Sequence, residues 1–241
     1  MRTLMLSLAL GLSGALAAPL TVQLSLMNGA TPFAFDQPLK SGAGQDLKVN
    51  FWRLYLSHFA LVKQDGSEVT VPGVVLADFE PGQPTQDVKV LAADVPEGSY
   101  RGLRFDVGLP RDLNHLDASA QTAPLGVDSG MFWAWNPGYI FSRFEGTASL
   151  GGQSVPVALH MGEDQRRLTV NLADLEKPDT LMTVDGSGAA VKVKADLAQM
   201  MAKGVDGAPF DLSQATYQQV HGGPVSDQLY LNLQQAFSLQ K

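Results

Sequence analysis

Cysteine is absent from this 241-residue chain, which limits both its stability and its chemistry. No disulfide can hold the fold together and no thiolate can bind a metal. With 45% apolar and only 17% charged residues, a chain of this length can bury one sizeable core, so we expect a single domain held by hydrophobic packing.

The chain also lacks an excess of basic residues, since it has 17 Lys and Arg against 24 Asp and Glu, a formal net charge of −7. This balance makes nucleic acid and anionic lipid poor partners.

Enzyme motifs are missing too: the sequence has no G-x-S-x-G, no P-loop, no H-E-x-x-H and no G-x-G-x-x-G between a strand and a helix. We therefore predict a protein that is not an enzyme.

The one long apolar run lies at the N-terminus, where Leu4 to Leu12 follows Arg2 and precedes the A-x-A site Ala15-Leu16-Ala17. A positive start, a short apolar segment and a small-residue site are typical of a secretory signal peptide. The run is shorter than the roughly 20 residues that a membrane span needs. We predict a signal peptide at residues 1–17 and one exported domain at residues 18–241.

Short runs with strand character, separated by Gly, Pro, Asn and Asp, occupy most of the chain. Leu20 to Leu26 alternates apolar and polar residues, and Asp65-Gly66 predicts a hairpin turn after the run at 48–62. Gly151-Gly152 predicts a second turn, between strands at 147–150 and 154–161. A break in alternation near Gly102 predicts a bulge. Helical composition is confined to the region after Asp196, with a helix expected at 226–237 capped by Ser226 or Asp227. The pattern indicates an all-β antiparallel sandwich or barrel with a few short C-terminal helices.

The densest aromatic segment is residues 128–146, which contains Trp133 and Trp135 around the turn residues 136–138. We expect two strands joined by this turn, because aromatics favour strands and Asn-Pro-Gly favours a turn. Alternate strand residues share a face, so both Trp side chains either pack in the core or line one pocket.

The four histidines are the main candidates for binding a transition metal in a chain without cysteine. His58 shares a predicted strand face with core residues and is expected to be a buried core histidine. His115 lies in a long loop, His160 ends an apolar strand, and His221 has the features of a loop residue. Two neutral imidazoles with a thioether or another soft donor suit copper.

Five short motifs carry a resemblance to a known family. In chain order they are Tyr55-Leu56-Ser57; Gly98 and Tyr100 followed by Phe105 and Gly108; Leu113-Asn114-His115; Met131 to Tyr139 followed by Phe144-Glu145-Gly146; and His160-Met161-Gly162. Together they resemble the MbnP-like periplasmic copper-binding proteins associated with methanobactin operons. The four-cysteine set that many members carry is absent here, so disulfide stapling is not implied.

The resemblance implies a β-sandwich that binds copper in the periplasm and works with a dihaem, MauG-like partner enzyme. It makes His115 and His160 the motif-matched ligands, with Trp133 or Trp135 as the residue that the partner oxidises to kynurenine. His58, where relatives often have Asn, is either an extra ligand or a packing change. Met131 and Met161 complete the set that we expect to line the site.

We therefore expect an exported copper carrier or scavenger that binds copper through His115 and His160. The alternative is a structural or partner-binding β-sandwich without a metal. The two readings differ on whether these two histidines converge on Trp133 or Trp135.

Overall fold

The computed structural model describes residues 16–135, 137–176 and 182–240. Nearly all of the predicted signal peptide and Asn136 of the predicted turn lie outside these residues. The described helices are α1 Arg111–Asn114, α2 Leu197–Met200 and α3 Gly223–Ala236. The described strands are β1 Ala17–Asn28, β2 Thr31–Pro32, β3 Leu39–Lys40, β4 Asp46–Lys63, β5 Glu68–Val71, β6 Val75–Phe79, β7 Val88–Pro96, β8 Gly98–Val107, β9 Ile140–Leu150, β10 Gln153–Gly162, β11 Leu168–Asn171, β12 Met182–Val184, β13 Ala189–Asp196, β14 Gln219–Val220 and β15 Phe237–Leu239.

Two sheets form a β-sandwich, as predicted. The smaller sheet has the order β15-β13-β1-β2, with β7 also pairing with β1. The larger sheet has the order β11-β8-β4-β9-β10-β14, with β12 on β8 and with β3, β5 and β6 on β4. Most pairs are antiparallel, but β1 with β13 and β10 with β14 are parallel. None of the described helices is long and apolar enough to cross a membrane.

The main core lies between the sheets and is built by strand alternation. In β1, Leu20, Val22 and Leu24 are buried, as the sequence pattern predicts. They pack in one cluster with side chains of β4 such as Trp52 and Leu54. Fully burying an aliphatic or Phe side chain contributes roughly 1.5–3 kcal/mol, so a cluster of this size can stabilise the fold without disulfides.

The predicted turns and bulge are confirmed. β4 and β5 pair across Asp65-Gly66, and β9 and β10 pair across Gly151-Gly152. The register between β4 and β8 shifts between Val62 and Lys63, which lie opposite Gly102 and Tyr100. This shift is the bulge expected from the broken alternation near Gly102.

The predicted first strand of the aromatic segment is wrong. Only an isolated bridge joins Phe132 to Tyr139 before β9 begins at Ile140. The reason is packing, since Met131 and Trp133 are buried in a second hydrophobic cluster instead of joining a sheet. This second cluster consists of Tyr55, Leu109, Ala118, Leu125, Met131, Trp133, Tyr139, Ile140 and Phe141.

Two tyrosine hydroxyls attach the long loop to the second cluster. Tyr55 donates to the carbonyl oxygen of Pro124 at 2.7 Å and Tyr139 donates to that of Leu125 at 2.8 Å. Burial raises the pKa of Tyr55 to about 12, so the hydroxyl stays protonated and able to donate. These bonds hold residues 124–125 over the aromatic segment that carries Trp133.

The predicted start of the C-terminal helix is also wrong. α3 begins at Gly223 and not at Ser226 or Asp227, and Ser226 lies buried inside the helix. Pro224 occupies the first turn, where its missing N–H and fixed φ are tolerated. The helix therefore starts directly after His221-Gly222.

Candidate metal centre

His160 and His221 lie side by side, with ring centroids 4.9 Å apart. The pairing of β10 with β14 is parallel and matches Ala158 with Gln219 and Leu159 with Val220. Continuing that register by one residue brings His160 level with His221. Residues at matched positions of neighbouring strands point to the same face, so the register itself brings the two imidazoles together.

Trp133 contacts both histidines. Its ring centroid lies 6.0 Å from that of His160 and 5.9 Å from that of His221. A 3.2 Å hydrogen bond from the backbone N–H of Trp133 to the carbonyl oxygen of Gly138 holds this part of the chain. Trp133 is only 8% exposed, so it forms the buried wall of the histidine pair.

Gly162, two residues after His160, is what permits this packing. A Cβ atom at residue 162 would lie 2.9 Å from Nε1 of Trp133 and 2.6 Å from the carbonyl oxygen of Tyr139. Both distances are too short for real contacts, so the absence of a side chain lets the indole lie against β10.

The His160 imidazole is held neutral. Burial, assisted by nearby His221 and Arg143, lowers its pKa to about 4 against the opposing effect of Glu145. Its Nε2 lies 3.0 Å from Oε1 of Glu145. Since a neutral imidazole must donate from the nitrogen that faces a carboxylate, we assign the proton to Nε2. Nδ1 then keeps a lone pair at neutral pH.

Arg143 fixes Glu145 and connects it to the aromatic segment. Its Nε donates to Oε1 of Glu145 at 2.8 Å, and its Nη1 donates to the carbonyl of Gly130 at 2.8 Å. Arg143 therefore orients the carboxylate that in turn orients His160. It also binds the backbone at Gly130, shortly before Trp133 in the chain.

Trp135 occupies a different environment from Trp133. It is 69% exposed, and its ring centroid lies 5.1 Å from that of Trp133. The prediction that the two Trp side chains share a strand face is wrong, because residues 133–135 are not in a strand. One indole is buried against the histidines and the other covers it from outside.

His115 is bound to an acidic residue, Asp164. Its Nε2 lies 3.0 Å from Oδ2 of Asp164, and this bond is the main cause of the lowered pKa of Asp164. The neighbouring Asn114 donates to Asp164 at 2.8 Å and accepts the N–H of Tyr139 at 2.8 Å. His115 lines a cavity with Trp133, but the ring contacts of the described residues join His160 to His221 and not to His115.

His58 lies elsewhere, and the expectation of a buried core histidine is wrong. The register of β4 against β8 shifts between Ser57 and Ala60, and His58 adopts a φ of +48° there. The bulge turns the side chain outwards, leaving it 46% exposed, with Nδ1 3.0 Å from Oδ2 of the buried Asp106. No described ring contact joins His58 to Trp133.

The two methionines expected at the site are packing residues. Met131 is fully buried in the second cluster, which also contains Trp133. Met161 packs in the main core, since it alternates with His160 along β10 and points to the other face. Met131 is thus near Trp133, whereas Met161 faces away from the histidine pair.

His221 is the site residue that the sequence analysis missed. It follows a strand of only two residues, Gln219–Val220, which is too short to show a period in the sequence. The one local signal is an apolar Val between polar residues, directly before the histidine. Its position beside His160 follows only from the pairing of β14 with β10.

Within the described parts of the chain, no group of three or more His, Cys, Asp or Glu side chains could hold a metal ion. The site therefore offers two imidazoles beside an indole. An intact indole has no lone pair suited to a metal, so any third donor must come from outside these side chains or from a change in Trp133.

Comparison with known proteins identifies the family. The MbnP from Methylosinus trichosporium is similar in structure, with a TM-score of 0.55 and 20% identity over 80% of this chain and 83% of that one. At this identity the likeness concerns the fold alone. No curated protein matches the chain. The MbnP family model, however, matches residues 17–221, a range that includes both paired histidines and Trp133. The chain therefore belongs to the MbnP family.

Proposed function

We propose that this chain is an exported copper-binding protein, a periplasmic carrier or scavenger, with His160 and His221 as its imidazole ligands. The observation that carries the proposal is the 4.9 Å separation of the two rings against the buried Trp133. His221 replaces His115, which is engaged with Asp164. The protein acts by binding the ion and not by catalysis.

The histidine pair fits a metal. With Nε2 of His160 directed at Glu145, Nδ1 is the ligand atom, and a carboxylate that accepts the other ring N–H is a common partner of metal-bound histidine. Each metal–nitrogen bond measures about 2 Å, so two rings 4.9 Å apart can reach one ion. Copper is one of the ions that imidazole donors suit, and the resemblance to copper-binding proteins favours it among them.

Trp133 is the position whose oxidation would complete the ligand set. Its Nε1 is buried and has no hydrogen-bond partner among the described residues, and an unsatisfied buried donor costs about 1–3 kcal/mol. Cleavage of its indole C2–C3 bond would be a four-electron oxidation that adds two oxygen atoms from peroxide or dioxygen, and hydrolysis would then release C2 as formate. The product, kynurenine, has an aryl amine and a ketone in place of the indole, beside both imidazoles. We propose that a dihaem, MauG-like partner supplies the oxidising equivalents for this change.

The exposed Trp135 supports a partner of some kind: its indole is 69% exposed, and Trp is enriched at interfaces because it combines a large apolar ring with a hydrogen-bond donor. Trp135 would form part of the surface that contacts the oxidising enzyme. The same observation favours the alternative function, in which the aromatic loop binds a partner protein and no metal is held.

Copper titration tests the proposal. The exported domain, residues 18–241, would be titrated with Cu(I) and Cu(II) against a competing chelator, alongside His160→Ala and His221→Ala. We expect each variant to lose at least tenfold in affinity, because removing one of two imidazoles leaves a single protein donor. His115→Ala and His58→Ala are the matched controls and should keep the parent affinity.

Unchanged affinity and stoichiometry in both His160→Ala and His221→Ala would refute the copper site and leave the partner-binding alternative. Peptide mapping by mass spectrometry of protein from its native host tests the modification separately. Kynurenine at Trp133 is expected; an intact Trp133 would remove that part of the proposal and leave copper binding in place.

A further inference from the structure

A cavity of about 300 Å³ has Trp133 among its lining residues but neither His160 nor His221. Its lining also includes the aromatic residues Phe132 and Tyr139 and the acidic residue Asp117. This volume is at the small end of the range for ligand sites, so the cavity suits a compact molecule and not a long chain.

Asp117 supplies a fixed negative charge. It accepts the backbone N–H of Ser119 at 2.9 Å and the Ser119 hydroxyl at 2.7 Å. The two bonds lower the pKa of Asp117, so its carboxylate is ionised at neutral pH. Burial raises the pKa of Tyr139 and the Asp117 charge adds to this effect; both residues line the cavity.

The cavity has no Lys or Arg among its described lining residues, and the chain as a whole carries a formal charge of −7. Its one basic lining residue is His115, whose Nε2 lies 3.0 Å from Oδ2 of Asp164. Aromatic faces attract cations through their quadrupole, and a nearby carboxylate adds to that attraction.

We propose that this cavity binds a small organic cation of the quaternary-ammonium class, with the rings of Phe132, Trp133 and Tyr139 around the cation and Asp117 as its counter-charge. The proposal goes beyond copper binding, because the cavity uses neither His160 nor His221. Only Trp133 is common to both sites.

Calorimetric titration of the metal-free protein with choline tests the inference. The control ligand is 3,3-dimethylbutan-1-ol, which has nearly the same shape without the charge. We expect choline to bind at one site per chain and the neutral analogue to bind at least about fivefold more weakly, as expected for a partly desolvated cation–π contact. Tryptophan fluorescence provides a second readout at Trp133.

Variants locate the site. Asp117→Asn and Phe132→Leu should each weaken choline binding by about fivefold or more. Asp185→Asn is the matched control, because Asp185 makes the same pair of bonds to Ser187 in another turn. Circular dichroism would show whether Phe132→Leu folds. If that variant does not fold, Asp117→Asn still tests the proposal, because Asp117 lies at an exposed turn. Equal binding of choline and its neutral analogue, no saturable binding of either, or equal loss in Asp185→Asn would overturn the proposal.

Discussion

At the scale of single residues, the candidate site depends on small and charged neighbours as much as on the two paired histidines. Glu145 decides which nitrogen of His160 carries the proton, since it faces Nε2 at 3.0 Å. Arg143 holds Glu145 in place, and Gly162 makes room for the indole. Glu145, Arg143 and Gly162 all help to position the histidine pair, although none of them is a proposed metal ligand.

Gly162→Ala should destabilise the protein. Its added Cβ would lie 2.6 Å from a backbone oxygen and 2.9 Å from Nε1 of Trp133, and overpacking of this kind typically costs about 1–3 kcal/mol. Urea unfolding would measure the free-energy change, and copper titration would report any displacement of Trp133. Gly186→Ala is the control, since its nearest neighbour is Oε1 of Glu97 at 3.5 Å. Equal stability of both variants would contradict this account of Gly162.

At the scale of elements, a short strand, a bulge and an isolated bridge position the histidine and tryptophan side chains. β14 has two residues, yet its pairing with β10 brings His221 to His160. The bulge in β4 turns His58 outwards to Asp106, and the single bridge between Phe132 and Tyr139 closes the loop that carries Trp133 and Trp135. None of these pieces has a pattern long enough to be recognised in sequence.

Asp211 connects the segment before β14 to the start of β4. It accepts from Nε2 of Gln45 at 2.6 Å, and its pKa is lowered to about 2, mainly by its bond to Ser213. A carboxyl whose folded pKa lies below its unfolded value of 3.8 stabilises the protein above pH 3.8, and that contribution is lost as the pH falls through about 2.

Asp211→Asn should therefore be less stable than the parent at neutral pH, with a difference that shrinks as the pH falls from 3.8 towards 2. Urea unfolding of both proteins across this window provides the measurement. A difference that stays constant with pH would show that Asp211 acts through packing alone. Asp36→Asn, at an exposed position, is the control for a general loss of surface charge.

At the scale of the whole molecule, one large core and one smaller cluster stabilise a chain that has no disulfide. The family match ends at His221, but α3 continues from there and packs Leu229 and Leu233 into the main core. β15 then pairs with β13 in the smaller sheet. The segment after His221 is therefore part of the fold that holds the site.

Leu229→Ala should cost about 2–5 kcal/mol, because it removes a fully buried side chain and leaves a cavity. Leu231→Ala, two residues along the same helix at a position that is 48% exposed, should change stability by no more than about 0.5 kcal/mol. Thermal and urea unfolding would measure both. Similar losses in the two variants would mean that α3 does not pack as described.

The sequence pattern by itself determined the all-β class, the longer strands, two hairpin turns and the bulge near Gly102, and the family resemblance chose the sandwich over the barrel. These features are local, since alternation and turn residues act within a few positions of the chain. The ordered motifs also identified the family correctly, and they placed His160 and Trp133 among the candidate site residues. The absence of cysteine made the histidines the main candidates for binding a metal.

Only the tertiary structure decided which histidine meets His160. His115 and His221 are both loop residues in sequence, and neither has a local pattern that distinguishes it. The parallel pairing of β14 with β10 places His221 beside His160, while Asp164 engages His115. Pairing between segments about 60 residues apart depends on how the whole chain packs, so no local pattern could reveal it.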